Sequence, residues 1–137
     1  MRVTSALVRM TYILTVAKSD LMRNYIVNAL GEKFPGSEVV GVGTGEAALK
    51  TLAESARNGK NISAIVTELV MSERLTGIGF LEELVRKSQG IPVIVIGGSQ
   101  GTNWYGPKVK EMGAKTYLDK TDFGGIITAV ESAIGNN

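Results

Sequence analysis

Five short runs of apolar, mostly β-branched residues recur along the chain at nearly regular intervals. Each run is continuous or nearly so, which is the pattern of strands that are covered by helices on both faces. The pattern therefore predicts five buried strands, at residues 12–16, 38–42, 64–67, 92–96 and 115–118.

Apolar residues at helical spacing fill the intervals between these runs and the end of the chain. Hydroxyl or carboxylate residues precede these stretches and predict N-caps, at Ser19 or Asp20, Thr44, Thr76, and Thr121 or Asp122. Glycines after the first four stretches predict where those helices end, at Gly31, Gly59, Gly90 and Gly113. The apolar stripe of the last helix, which includes Ile126 and Val130, is interpreted as core.

The fourth helix has the least regular pattern, because residues 97–113 include five glycines and a proline. We expect this helix to begin near Pro107, since proline suits the first turn of a helix. Residues 97–106 are then interpreted as a mobile, glycine-rich connection. The alternative is a loop whose backbone amides wrap a small anionic ligand.

Strand and helix alternate five times, which predicts one parallel sheet with right-handed crossovers and helices on both faces. The length of 137 residues fits a single domain. We expect that domain at residues 11–137 and a loosely ordered N-terminal tail at residues 1–10.

The composition excludes several kinds of site. The sequence has no cysteine and no histidine, which excludes disulfides, thiolate or imidazole metal ligands and histidine acid–base chemistry. The net charge of +2 comes from interspersed charges without a basic block, so nucleic acid is not an expected partner. The longest solidly apolar runs are too short to cross a bilayer, and we expect a cytoplasmic protein without membrane contact.

Small and charged residues follow the predicted strands, at the edge where open parallel sheets bind their ligands. One acid, two lysines, one hydroxyl and bare backbone should meet there: Glu68, Lys18, Lys120, Ser99 and the pair Gly97 and Gly98. The acid is the most unusual of these, because it ends an otherwise apolar run.

From about residue 11 onwards, the chain resembles the receiver domain of two-component response regulators. Five motifs carry the resemblance in order: ILTVAKSDLMR, GTGEAALKTL, TELVM with the later Gly77, PVIVIGG and MGAKTYLDKTDF. The resemblance implies a flavodoxin-like (βα)5 fold, namely a doubly wound five-stranded parallel sheet with helices on both faces. It also implies a role in phosphorelay signal transduction.

The site differs from the usual pattern of that family. Receivers usually carry two adjacent acids after the first strand, which hold Mg²⁺, and Ala17 and Lys18 stand there. Glu68 stands at the phosphoacceptor aspartate, and Gly97 stands at the usual threonine or serine. The usual lysine after the fifth strand is present as Lys120. The resemblance is therefore to a degenerate receiver, or pseudo-receiver.

These differences disfavour ordinary phosphotransfer. Mg²⁺ is held by oxygen ligands, commonly one or two carboxylates, and one acid beside two lysines is a poor site for it. Glutamate also carries its carboxylate roughly 1.5 Å further out than aspartate. We expect no cofactor, and an ion pair of Glu68 with Lys18, Lys120 or both. Gly98 or Ser99 would partly replace the phosphoryl contact that is missing at Gly97.

The sequence thus predicts a stand-alone receiver-like domain that is not an enzyme and acts by protein–protein interaction. By resemblance, the partner is a signalling protein that binds the face formed by helix 4, strand 5 and helix 5. Tyr117 matches the aromatic residue that turns inward or outward in receivers, and Trp104 is a candidate partner anchor. Two alternatives remain open: phosphorylation at Glu68 or a neighbour, and a flavodoxin-like module that binds a small anion. The oligomeric state is not predicted.

Overall fold

The computed structural model describes residues 11–69 and 77–135 of the chain. The five predicted strands are confirmed, with bounds that differ slightly from the prediction: β1 Thr11–Val16, β2 Ser37–Val42, β3 Ile62–Glu68, β4 Val93–Gly97 and β5 Thr116–Asp119. The expected N-terminal tail at residues 1–10 and the predicted cap Thr76 lie outside the described residues.

Helices alternate with the strands, as the spacing of apolar residues predicts: α1 Asp20–Lys33, α2 Gly45–Arg57, α3 Gly77–Ser88, α4 Gly101–Glu111 and α5 Phe123–Gly135. The predicted caps form where the residues are described. Ser19 Oγ accepts the N–H of Met22 at 3.2 Å, and Thr44 Oγ1 accepts the N–H of Ala47 at 3.1 Å. These side chains satisfy backbone donors that the first turn of a helix leaves unpaired.

The strands form one parallel sheet in the order β2-β1-β3-β4-β5, which confirms the predicted doubly wound α/β fold. The register aligns Val16 of β1 with Val42 of β2 and with Thr67 of β3. At the other side of the sheet, Gly97 of β4 aligns with Asp119 of β5. Because all strands run the same way, their carboxyl ends meet at one edge, where the predicted site residues lie.

The core is divided by the sheet into two clusters. Helices α2, α3 and α4 bury one face through residues that include Leu52, Phe80 and Val109. Helices α1 and α5 bury the other face through residues that include Leu30 and Ile126. The interpretation of the α5 stripe as core is confirmed, since Ile126 and Val130 are buried.

The predicted end of α1 at Gly31 is wrong. The helix continues to Lys33, and the N–H of Phe34 donates to the carbonyl of Leu30 at 2.9 Å. Leu30 is buried and Phe34 packs beside it in the same cluster. This packing stabilises the helix for two residues beyond Gly31, against the intrinsic preference of glycine.

The predicted start of α4 near Pro107 is also wrong. The helix begins at Gly101 and includes Pro107 in its interior. Six of the residues interpreted as a mobile connection, 101–106, therefore belong to the first turns of a helix. The physical reason is tertiary packing: Tyr105 of the first turns stacks near Tyr117 of β5, and Val109 is fully buried against the sheet.

The apolar residues at the start of α1 do not all face the core. Leu21 and Tyr25 are 82% and 55% exposed, whereas Ile26 and Leu30 are buried. Tyr25 stacks on the ring of Phe123 in α5, with ring centroids 4.2 Å apart. The pattern predicts the helix correctly and misplaces part of its buried face.

Candidate functional site

A cavity of about 420 Å³ opens at the carboxyl edge of the sheet. Its lining combines the ends of strands with side chains of α4 and β5, and includes Lys18, Glu68, Gly97, Tyr105, Tyr117 and Lys120. The fold therefore brings the acid and both lysines together, as the sequence predicts.

Glu68 is the last residue of β3, and its carboxylate turns toward the loop that follows β1. Its Oε1 accepts a hydrogen bond of 2.8 Å from the backbone N–H of Lys18. That loop is itself fixed, because the fully buried Ala17 donates its N–H to the carbonyl of Val42 at 3.0 Å. A rigid backbone amide therefore holds the acid.

The expected ion pair of Glu68 with a lysine ammonium is not found. Within the described residues, the Glu68 carboxylate makes no ion pair with Lys18 or Lys120, whereas Asp20, Glu38 and Glu83 do pair with basic side chains. The main chain bonds one oxygen of the Glu68 carboxylate instead, and Lys18 and Lys120 are among the residues that line the cavity. Two lysines beside one carboxylate favour anions at this cavity.

Arg23 of α1 supports the same loop, a role that no motif in the sequence indicates. Its Nη1 donates to the carbonyl of Ala17 at 2.9 Å, and its guanidinium also pairs with Asp20. The stem of Arg23 lies close to Gly41 and its guanidinium close to Gly43, at the end of β2. Arg23 thus joins α1, the loop after β1 and the end of β2.

The end of β5 is tied to the end of β4. Lys120 donates its backbone N–H to the carbonyl of Gly97 at 2.7 Å. The Asp119 carboxylate accepts the N–H of Thr121 at 2.9 Å and its hydroxyl at 2.8 Å. These donors hold the pKa of Asp119 below its ordinary value. The turn that presents Lys120 is therefore ordered.

Tyr117 points into the site rather than away from it. The side chain is 8% exposed, and its hydroxyl donates to the carbonyl of Gly98 at 2.9 Å. Its ring lies 6.4 Å from that of Tyr105. Burial, and next the negative charge of Asp119, raise the pKa of the Tyr117 phenol above its ordinary value.

The sequence profile of the response regulator receiver domain matches residues 13–131 of this chain. The chain belongs to that family. The match spans β1 through most of α5.

Solved receiver structures have the same fold. The receiver domain of the Francisella response regulator 1452 has a TM-score of 0.73 at 20% identity, and covers 91% of this chain and 97% of its own. A response regulator receiver domain protein from Clostridium thermocellum gives 0.74 at 22% identity, over 92% and 95% of the two chains. The receiver domain of NtrX from Brucella abortus gives 0.74 at 21% identity, over 91% and 99%.

No curated protein matches this receiver domain in sequence. The identities to the solved structures are low, so those structures support the fold and do not assign roles to residues.

The structure describes no group of three or more acidic, histidine or cysteine side chains that could hold a metal ion. In the described part of the receiver domain, no helix is long and apolar enough to cross a membrane.

Two other predicted residues lie at the start of α4. Ser99 is exposed, and its carbonyl accepts the N–H of Thr102 at 3.2 Å, so it forms part of the turn into the helix. Trp104 is 81% exposed and lies on α4, one residue before Tyr105. The receiver domain therefore presents its single tryptophan to solvent, beside the cavity wall.

The sequence offers Tyr105 with Trp104 as a candidate partner anchor, but it does not predict that Tyr105 lines the cavity or that Gly101 begins a helix. Glycine and proline dominate the local signal and favour a mobile connection. The ring of Tyr105 lines the cavity and lies close to Gly101. Only the neighbouring strand β5, which packs against α4, shows why these residues are ordered.

Proposed function

We propose that this receiver domain signals by binding a partner protein, without Mg²⁺-dependent phosphoryl transfer to an aspartate. The observation that carries the proposal is the hydrogen bond from the Lys18 N–H to Glu68. Glu68 is held by the backbone of Lys18. By the family resemblance, Lys18 stands where receivers usually carry a metal-binding carboxylate. On this proposal the domain is not an enzyme.

The residues present do not fit Mg²⁺. By the family resemblance, Ala17 and Lys18 occupy the two positions of the acidic pair, and they offer a methyl group and an ammonium. Mg²⁺ needs an array of oxygen ligands and is usually held by one or two carboxylates. Among the described residues that line the cavity, Glu68 is the one with a carboxylate, and Lys18 and Lys120 line the same cavity. We therefore assign no resident metal to this site.

The phosphoryl contacts are also incomplete. The resemblance assigns Gly97, Gly98, Ser99 and Lys120 to these contacts and Glu68 to the acceptor position. Gly97 has no hydroxyl to offer, and Glu68 is longer than aspartate by one methylene. A displacement near 1 Å can cost on the order of 100-fold in a positioned reaction. Glu68 acts in our proposal as a permanent negative charge, similar in sign to a phosphorylated aspartate.

The partner surface in this proposal is the face formed by α4, β5 and α5. Trp104 is 81% exposed on α4, and large aromatic residues dominate the binding energy of protein interfaces. Lys108 lies one turn further along the same helix and is also exposed. We therefore propose Trp104 as the anchor of a signalling protein partner.

A phosphorylation assay tests the first half of this proposal. The protein is incubated with Mg²⁺ and acetyl phosphate and analysed by intact mass and peptide mapping. We expect no added phosphoryl group, and no thermal stabilisation by Mg²⁺ with beryllofluoride. A stable phosphoryl group at Glu68 or a neighbour would instead establish a phosphorylation-competent receiver. Stabilisation by phosphate, a nucleotide or flavin without Mg²⁺ would favour a module that binds small anions.

A quantitative pull-down tests the second half. Proteins captured from the source cells by the wild type are compared with those captured by Trp104→Ala and by Leu21→Ala. Leu21 is a matched control, because it is 82% exposed and lies on α1, which is not an element of the proposed face. We expect a specific signalling protein to be lost with Trp104→Ala and kept with Leu21→Ala. Equal capture by all three proteins would contradict the proposed anchor.

A further inference from the structure

The space that Tyr117 occupies exists because two neighbouring residues have no side chain. A Cβ at Gly97 would overlap the Tyr117 hydroxyl and lie 3.0 Å from its ring carbon Cζ. A Cβ at Gly101 would overlap the same hydroxyl and lie 2.8 Å from Cζ. Separations below 3.0 Å are essentially never seen for real Cβ atoms. Neither position therefore tolerates a side chain while Tyr117 stays where it is.

The glycine between them behaves differently. A Cβ at Gly98 would meet nothing within 4 Å, so the constraint is specific to Gly97 and Gly101. Gly98 contributes through its carbonyl, which accepts the Tyr117 hydroxyl at 2.9 Å. Two bare Cα atoms and one carbonyl thus surround the phenol oxygen. We call Gly97, Gly98 and Gly101 the glycine slot.

We propose that the glycine slot holds Tyr117 inward permanently, so that its orientation is set by the sequence of the slot and not by chemistry at Glu68. The inference rests on the proposed function, in which the α4–β5–α5 face binds a partner without a phosphorylation signal. It explains what sets the arrangement of that face. The face is kept in one arrangement, with Tyr117 buried and Trp104 exposed.

The energetics favour the inward position. Turning Tyr117 outward would break the hydrogen bond to Gly98 and expose a ring that is now 8% exposed. It would also leave the slot empty, because the two glycines have no atoms to fill it. A hydroxyl-bearing residue at Gly97 would compete for this space, and the chain has none there.

Chemical nitration mapped by mass spectrometry measures the position of each tyrosine. With tetranitromethane, we expect Tyr25 and Tyr105 to react, because they are 55% and 42% exposed, and Tyr117 to be protected. In Gly97→Ala the new methyl group should expel the ring, and Tyr117 should then react at a rate similar to that of Tyr105. Gly98→Ala is the matched control and should leave Tyr117 protected. Equal protection of Tyr117 in Gly97→Ala and the wild type would overturn the inference.

A double-mutant cycle separates the slot from a general loss of stability. Tyr117→Phe removes the hydroxyl, and with it the most severe overlap at Gly97. Gly97→Ala should therefore lower the thermal midpoint clearly in the wild-type background and much less in the Tyr117→Phe background. Equal decreases in both backgrounds would mean that the hydroxyl does not define the slot, and would overturn the inference.

Adding Mg²⁺ and beryllofluoride distinguishes failure of this inference from failure of the proposed function. Nitration of Tyr117 should be equally slow with and without these additives. A change in Tyr117 protection on adding them would overturn the permanent orientation, whatever the pull-down shows. Unchanged protection supports the slot even where Trp104→Ala captures the same proteins as the wild type, in which case only the proposed partner face fails.

Discussion

The backbone N–H of Lys18 donates a hydrogen bond of 2.8 Å to Oε1 of Glu68, a residue fifty positions along the chain. The contact joins the loop after β1 to the end of β3, two strands that pair directly in the sheet. It uses the main chain of Lys18 rather than its ammonium. The charge of Lys18 therefore stays available to the cavity, while the position of Glu68 is fixed by the backbone.

Shortening Glu68 tests this contact. In Glu68→Asp the carboxylate loses one methylene and no longer reaches the Lys18 amide, so the free energy of unfolding should fall by about 1 kcal/mol. Glu68→Gln is the matched control, since its amide oxygen keeps both the length and an acceptor. Urea denaturation at neutral pH measures both variants. An aspartate variant as stable as the wild type would show that the hydrogen bond adds nothing.

The pH dependence of stability should report Asp119. Its pKa is lowered from 3.8 by the two hydrogen bonds from Thr121, so the carboxylate is favoured in the folded protein. A lowered folded pKa stabilises the protein above the unfolded pKa, and this contribution is lost as pH falls through the folded pKa. Thr121→Val removes one of the two donors and should be less stable than the wild type at neutral pH.

The difference in the free energy of unfolding between the wild type and Thr121→Val should shrink as the pH falls below about 4, the ordinary pKa of aspartate. Urea denaturation between neutral pH and strongly acidic pH measures it. In an Asp119→Asn background, the effect of Thr121→Val should not change with pH. A pH-independent difference in the wild-type background would exclude Asp119 as its source.

A pair of buried threonines allows a second matched comparison. Thr15 and Thr67 are both fully buried, and within the described residues the Thr15 hydroxyl has no hydrogen-bond partner. The hydroxyl of Thr67 donates to the carbonyl of Glu68 at 2.7 Å. Because an unpaired buried hydroxyl costs free energy, Thr15→Val should raise the free energy of unfolding by about 1 kcal/mol. Thr67→Val should lower it, and urea denaturation that ranks the two variants in the opposite order would contradict this account.

Glycines in α1 and after α4 should respond in opposite directions to alanine. Gly31 lies inside α1, and a Cβ there would meet nothing within 4 Å. Gly31→Ala should therefore stabilise the protein by roughly 0.5–1 kcal/mol, because alanine has less freedom to lose. Gly113 has a φ of +113°, and a Cβ there would lie 2.9 Å from Val85. Gly113→Ala should destabilise the protein, and thermal melts of the two variants would show opposite shifts.

The fold was largely predictable, because each strand is marked by a local run of β-branched residues and the helix caps Ser19 and Thr44 are marked by local hydroxyls. The helix ends predicted at Gly59, Gly90 and Gly113 are confirmed, since each of these glycines follows a helix and has a positive φ. The errors at Gly31 and Pro107 have a common cause. Intrinsic propensities are small, and burial of Leu30 and Val109 outweighs them.

The convergence of Lys18, Glu68 and Lys120 followed from the sequence alone, because parallel strands bring their carboxyl ends to one edge. The hydrogen-bond partner of Glu68 did not follow from the sequence, since the ammonium and the backbone amide of Lys18 compete for the same carboxylate. That choice depends on distances of a few ångström, which local patterns do not contain. The position of Tyr117 was likewise decided by tertiary structure, because the space it fills is left by glycines of β4 and α4. The sequence by itself determined the order of the elements and the edge that carries the site, and three-dimensional packing determined which atoms meet there.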